Sequence, residues 1–272
     1  MRCGFVGANV HVRGGTVCRP AGLRAHPLHD RRVRKPFLVL KTGNTFEDLA
    51  AKRGDYEDWF LAGLGIAPSD ARVVDVRKEP APPIEDVRGV VITGSSAMVT
   101  DREPWSEALR PWLLRALEVE LPMLAVCYGH QLLADVLGGD VGPNPRGRQV
   151  GTVQVELTDE GREDPLLGGL APAGAPLLFQ ATHRQSARAL PAGIPSLARS
   201  PRDPNSAFRA GRRAWAVQFH PEIDHEAIAE YVLRRRDAIR TEGDDPDALL
   251  AAITPSEHGT KLLRRFAELA GG

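Results

Sequence analysis

The stretch Leu121-Pro-Met-Leu-Ala-Val-Cys127-Tyr-Gly-His-Gln-Leu-Leu-Ala-Asp-Val-Leu137 changes its periodicity at a single residue. Up to Val126 it is a short continuous apolar run, as expected of a strand buried on both faces. From Tyr128 the apolar residues fall at helical spacing. The cysteine at the junction has small residues two positions before it (Ala125) and two after (Gly129). A strand–cysteine–helix turn of this kind holds its central residue in a strained backbone conformation at the sheet's C-terminal edge, and small neighbours permit the tight turn. At a helix N-terminus the free N–H groups and the dipole favour a thiolate. The N–H of Tyr128 also points at whatever adds to the sulfur, forming half of an oxyanion hole. A lone cysteine is ordinarily a small core hydrophobe; the elbow makes Cys127 a candidate nucleophile instead.

Moving outward, the same strand grammar recurs at Phe37–Leu40, Arg72–Val76 and Gly89–Thr93. Helical segments are expected at Asp55–Leu64 and Pro104–Leu117. In the latter Trp105, Leu109, Trp112, Leu113, Ala116 and Leu117 form one apolar stripe, with Pro104 in the first turn and Pro111 expected to kink the helix. Strand and helix alternating through short connections implies right-handed parallel βαβ units. The second half reads as richer in strands, at Gly151–Thr158, Pro176–Thr182 and Ala214–Phe219. A hairpin about Gly211 joins Ala207–Ala210 to Ala214–Val217, and helices follow at His225–Arg236 and near the end of the chain.

Two further motifs carry chemistry. Ala214-Trp-Ala-Val-Gln-Phe-His220-Pro-Glu222 is an apolar strand that delivers a histidine at its end and a carboxylate two residues on. A cysteine nucleophile needs a base within reach, and the base needs an acceptor to fix its tautomer. Cys127, His220 and Glu222 supply those types at the C-terminal ends of two strands, where open α/β sheets place their sites. Gly89-Val-Val-Ile-Thr-Gly94-Ser-Ser-Ala-Met is a buried strand ending in a glycine that lets backbone N–H groups approach a ligand. Neither GxxxxGK[ST] nor GxGxxG occurs, so no nucleotide loop is read.

Composition bounds the remaining choices. The 272 residues carry 35 basic and 35 acidic side chains, so a general nucleic-acid or membrane-surface binder, which needs a basic excess, is not expected. No apolar run approaches the roughly 18 residues of a membrane span. The three cysteines, Cys3, Cys18 and Cys127, include no CxxC pair, which points away from a disulfide scaffold or thiolate–zinc cage and towards a reducing, cytoplasmic setting. Residues 1–35 hold eight Arg/Lys and one acid, Asp30, without helical or strand periodicity, and read as a basic, flexible arm. Its histidines, His11, His26 and His29, are too scattered for a metal site. Residues 36–272 are expected to form one domain.

Cys-Tyr-Gly-His-Gln followed late in the chain by Gln-Phe-His-Pro-Glu resembles the class I (triad) glutamine amidotransferases, whose marks are a G-x-C-x-G-x-Q elbow and a late H-P-E. The likeness covers Phe37 to Ile239. It is closest to stand-alone members that resemble the glutaminase domain of guanosine monophosphate synthase. The resemblance implies a flavodoxin-like, doubly wound, mostly parallel α/β sheet with added antiparallel strands. It also implies Cys127 as nucleophile, His220 as base, Glu222 as its orienter, and Gly94 and Tyr128 as oxyanion donors. Gln131 would contact bound glutamine, and Thr182, His183 and Arg184 lie where the family has a substrate loop. This chain departs from the pattern in having Ala125 for the first elbow glycine, Gly-Ser-Ser in the oxyanion loop and Arg184-Gln185 in the substrate loop.

The chemistry implied is acyl transfer through a γ-glutamyl thioester, with no metal and no organic cofactor. His220 and His225 are five apart with acids nearby, but the H-P-E context assigns His220 to the triad. Three readings stay open at the level of sequence. One is a glutaminase passing ammonia to a separate synthetase or acceptor subunit. Another is a self-sufficient γ-glutamyl hydrolase or peptidase acting on a small conjugate. The third is a non-catalytic binding protein on the same fold.

Overall fold

The computed structural model describes residues 35–172 and 174–271, together with Gly7. The expectation of a flexible basic arm, with Cys3, Cys18 and its three histidines, lies outside the described residues.

In the first half, strands β1 (Phe37–Lys41), β2 (Ala71–Asp75), β3 (Gly89–Ile92) and β4 (Met123–Val126) alternate with helices α1 (Glu47–Arg53), α2 (Tyr56–Leu64), α3 (Pro104–Glu118) and α4 (Tyr128–Val136). The second half contributes β5 (Asp140–Pro143), β6 (Gln149–Leu157), α5 (Asp159–Glu163), β7 (Leu177–His183), β8 (Gln185–Ala189), β9 (Ser196–Arg199), β10 (Ala207–Ala210) and β11 (Ala214–Val217). Helices α6 (His225–Arg234), α7 (Arg236–Thr241), α8 (Pro246–Ala251) and α9 (His258–Gly271) complete the described chain.

Nine strands form one sheet in the order β2-β1-β3-β4-β11-β10-β9-β6-β7. The first five are mutually parallel, and the remaining contacts are antiparallel. This is the flavodoxin-like arrangement expected, with a long antiparallel extension on one side. The apolar runs explain the layering. Because side chains alternate across a strand, Phe37, Val91, Leu124 and Val217 enter the core beneath α2, α6 and α9, whereas Leu38, Leu40, Ile92 and Ala125 enter the core beneath α3 and α4. Both sets are buried, so these strands have no solvent face and read as continuous apolar runs.

The hairpin at Gly211 is present, with φ +62° at that glycine and β10 paired to β11. Helix α3 continues past Pro111 to Glu118. The helix expected over His225–Arg236 instead ends at Arg234, and Arg235 joins it to the short α7. Strands β5 and β8, which among the described residues pair with each other alone, are not legible in the sequence. They are short, and β5 contains both a glycine and a proline. Among the described residues no helix is long and apolar enough to cross a membrane.

Candidate active site

The parallel ladders β3–β4 and β4–β11 fix the site, because three consecutive neighbours in the sheet end together. Gly94 follows β3, Cys127 follows β4 and His220 follows β11. Cys127 has φ 52° and ψ −97°, a conformation costly for any residue with a side chain. It is held there from both directions: its N–H donates to Val217 O at 2.8 Å, and its carbonyl accepts from Gln131 N at 3.1 Å. Gly129 shows why the position after the elbow must be small. A Cβ there would meet Ile92 Cγ2 at 3.0 Å and Ile92 O at 3.1 Å.

His220 is buried, and its Nδ1 lies 2.6 Å from Glu222 Oε1, whose side chain is fully buried. A backbone hydrogen bond, His220 N to Gln180 O at 2.8 Å, ties His220 to β7. Burial alone would depress the imidazole pKa, but the Glu222 carboxylate and the Cys127 sulfur as thiolate more than reverse this and push it up to about 10. Nε2, the ring nitrogen left over, is buried without a hydrogen-bond partner among the described residues.

Gly94 is a glycine for want of space. A Cβ would stand 2.9 Å from His220 Cε1 and 3.6 Å from Cys127 Cβ. Its N–H donates to no protein acceptor among the described residues, and Tyr128, as first residue of α4, has an N–H without an intrahelical acceptor. The Gly94 loop is braced by Thr42, whose Oγ1 lies 3.0 Å from Gly94 O and whose N–H donates to Thr93 Oγ1 at 3.0 Å.

Two recesses meet at Cys127. One, of about 240 Å³, is lined by Gln131, Arg148, Thr182, Arg184 and Gln185 among others. The other, of about 180 Å³, is lined by Phe46, Tyr56, His220 and Tyr231. Ser95, Ser96, Thr182 and Arg235 line both. The residues expected from the substrate loop therefore arrive beside Cys127, but with distinct surroundings. His183 lines the larger recess yet is buried, with Nδ1 2.8 Å from Gln185 O and Nε2 3.1 Å from Gln149 Oε1. Burial lowers its pKa to about 4, so it is neutral near pH 7. Gln131 donates through Nε2 to Gln185 O and Gln218 Oε1. Thr182 Oγ1 accepts from Arg235. Arg184 is exposed at the rim.

Several site residues escaped the sequence reading. Tyr56 lies parallel to the His220 ring, centroids 6.5 Å apart, and its hydroxyl is 2.7 Å from that of Tyr231, which is 2.7 Å from Thr45 Oγ1. Burial raises the pKa of both phenols, so the chain of hydroxyls stays neutral. Arg148 is buried and gives Nε and Nη2 to Glu242 at 2.6 and 2.8 Å. No local signal marks these residues: Arg235 sits in an Arg-Arg-Arg run that reads as a solvated helix face. Among the described residues no group of three or more His, Cys, Asp and Glu side chains is placed to hold a metal ion.

The family described as glutamine amidotransferase class-I matches residues 65–237 of this chain. The glutamine-hydrolyzing GMP synthase of Phenylobacterium zucineum is 34% identical over 148 residues, covering 54% of this chain and 27% of that protein. The enzyme of the same name from Aeropyrum pernix is 35% identical over 200 residues, 72% of this chain and 34% of that protein. The chain thus spans about a third or less of the length of these relatives. In shape it is similar to a glutamine amidotransferase from Thermotoga maritima, with a TM-score of 0.67 at 21% identity over 87% of this chain and 98% of that one.

Proposed function

This chain belongs to the class-I glutamine amidotransferases, and on that premise we propose that it hydrolyses the side-chain amide of a glutaminyl substrate with Cys127 as nucleophile. The observation that carries the reading is the strained Cys127 at the start of α4, beside a His220–Glu222 pair delivered by the neighbouring strand.

The proposed steps follow from the geometry. Cys127 thiolate attacks the amide carbon, and the resulting oxyanion is held by the N–H groups of Gly94 and Tyr128. The imidazolium of His220, stabilised by Glu222, gives its Nε2 proton to the leaving nitrogen as the C–N bond breaks, releasing ammonia and leaving a γ-glutamyl thioester. Neutral His220 then takes a proton from water as the water oxygen attacks the thioester. The C–S bond breaks, and glutamate and the thiolate–imidazolium pair are restored. By analogy with the GMP synthases it resembles, the ammonia would pass to a synthetase partner.

One observation favours a second reading, a self-sufficient γ-glutamyl hydrolase. The recess lined by His220 and Cys127 measures about 180 Å³, room for a leaving group larger than ammonia. The test is glutamate release by the purified protein from glutamine and from γ-glutamyl amines, beside a Cys127→Ala variant. Turnover that disappears in the variant supports the nucleophile, and the preferred substrate chooses between the readings. Glutamate release that survives Cys127→Ala would refute both.

A further inference from the structure

Three arginines line the larger recess at Cys127, and they are not equivalent. Arg148 is committed to Glu242 through two hydrogen bonds, and Arg184 is exposed at the rim. Arg235 is different. Its guanidinium carbon lies 5.4 Å from the Phe46 ring centroid and 5.0 Å from that of Tyr231, an aromatic clamp that restricts the side chain. Nη1 donates to Thr182 Oγ1. Nε and Nη2 have no hydrogen-bond partner among the described residues, and no carboxylate there lies within salt-bridge distance.

Its neighbours show that pairing was available. Arg234 reaches Asp48 and Glu230, and Arg236 reaches Asp247, all at the surface. Arg235 alone of the three turns inward, where burial disfavours its charge and lowers its pKa. Neither recess has an aspartate or glutamate in its wall. A partly buried fork of N–H donors without an anion, held rigid at the junction of both recesses, is a prepared carboxylate site.

We propose that Arg235 is a specificity-determining residue that binds the α-carboxylate of the substrate, placing the side-chain amide at Cys127. The assignment rests on the glutaminyl reading above. Thr182 then acts as a positioning residue that fixes the guanidinium, which explains its place at the nucleophile without direct contact with the reacting amide. The charge balance of the recess selects an anionic glutaminyl group over an amide that lacks the carboxylate.

The test compares wild type with Arg235→Met and Arg235→Lys on two amides, glutamine and γ-aminobutyramide, which lacks only the α-carboxylate. Arg235→Met should lose roughly 10- to 100-fold in kcat/KM for glutamine, chiefly through KM, and change little for γ-aminobutyramide. Arg235→Lys should recover part of the loss. An equal fall on both amides would assign Arg235 a structural role and overturn the proposal. A second readout needs no turnover: protection of Cys127 from iodoacetamide by L-glutamate or γ-aminobutyrate. Glutamate should protect wild type at roughly 10-fold or more lower concentration than it protects Arg235→Met, with γ-aminobutyrate indifferent to the substitution. If wild type hydrolyses neither amide, the catalytic reading fails while the protection assay still decides Arg235. Glutamate protection that is absent, or unaltered by Arg235→Met, overturns the assignment.

Discussion

Replacing Gly94 by alanine adds one methyl group where the Gly94 loop meets His220. The new Cβ would stand 2.9 Å from His220 Cε1, where ordinary contact begins at 3.4 Å, so at least half an ångström must be found. The imidazole has little freedom to supply it. Nδ1 is held at 2.6 Å by Glu222, and the backbone N–H at 2.8 Å by Gln180 O. The Gly94 loop is braced in turn through Thr42. Gly94 is not among the residues with positive φ, so alanine brings no backbone strain of its own and the steric term stands alone. Overpacking of this kind costs about 1–3 kcal/mol of stability. Displacing a reacting group by 1 Å costs about 10²-fold in rate, so about half that distance predicts roughly a tenfold loss in kcat for glutamate release. The assay pairs steady-state glutamate release with a thermal melt. A Gly94→Ala protein with wild-type Tm and kcat within twofold of wild type would show that His220 and the Gly94 loop are not mutually locked, refuting the geometry on which the proposed mechanism stands.

Further outcomes follow from the same contacts. Glu222→Gln removes the carboxylate that, with Cys127, overcomes the depressing effect of burial on His220. With the His220 pKa pushed up to about 10, the basic limb of the kcat/KM profile should lie there. In the variant the carboxylate's contribution is gone while burial remains, so the basic limb should move to lower pH. A limb that stays put would sink the assignment of Glu222 as the orienting charge. Asp164 is buried and accepts from Trp215 Nε1 at 3.0 Å and from the N–H groups of Leu166 and Leu167 at 2.8 and 3.1 Å. Asp164→Ala strands these donors, and should cost roughly 3 kcal/mol or more, seen as a Tm lower by roughly 6–12 °C. An unchanged melt would mean that water or a local shift re-satisfies them.

Much of this protein was already written in local sequence. Three of the four parallel-strand signals in the first half are apolar runs that become strands buried on both faces; the fourth, Arg72–Val76, is the edge strand β2, where Arg72 and Val73 are exposed. The elbow was legible because three physical demands coincide within a few residues: a strand end, a small residue on either side, and a helix start. Tyr128–Val136 then continues at helical spacing. His220 and Glu222 were legible for the same reason, since their geometry is set by two residues of separation at the end of β11. Pro111 lies inside α3 without ending it, because Leu109, Leu113 and Ala116 bury that helix along the sheet.

What the tertiary structure alone decided is everything that depends on distance across the chain. Gly94 reads as one of many strand-end glycines until β3 is placed beside β4 and His220 is found against it. Tyr56, Tyr231 and Thr45 share a hydroxyl chain although up to 186 residues separate them. Arg235 has the same sequence character as Arg234 and Arg236, and only the end of α6 turns it from solvent to the site. Periodicity reports which face of its own element a residue occupies. Whether that face meets water, core or a nucleophile is fixed by packing between elements, and no local pattern encodes it.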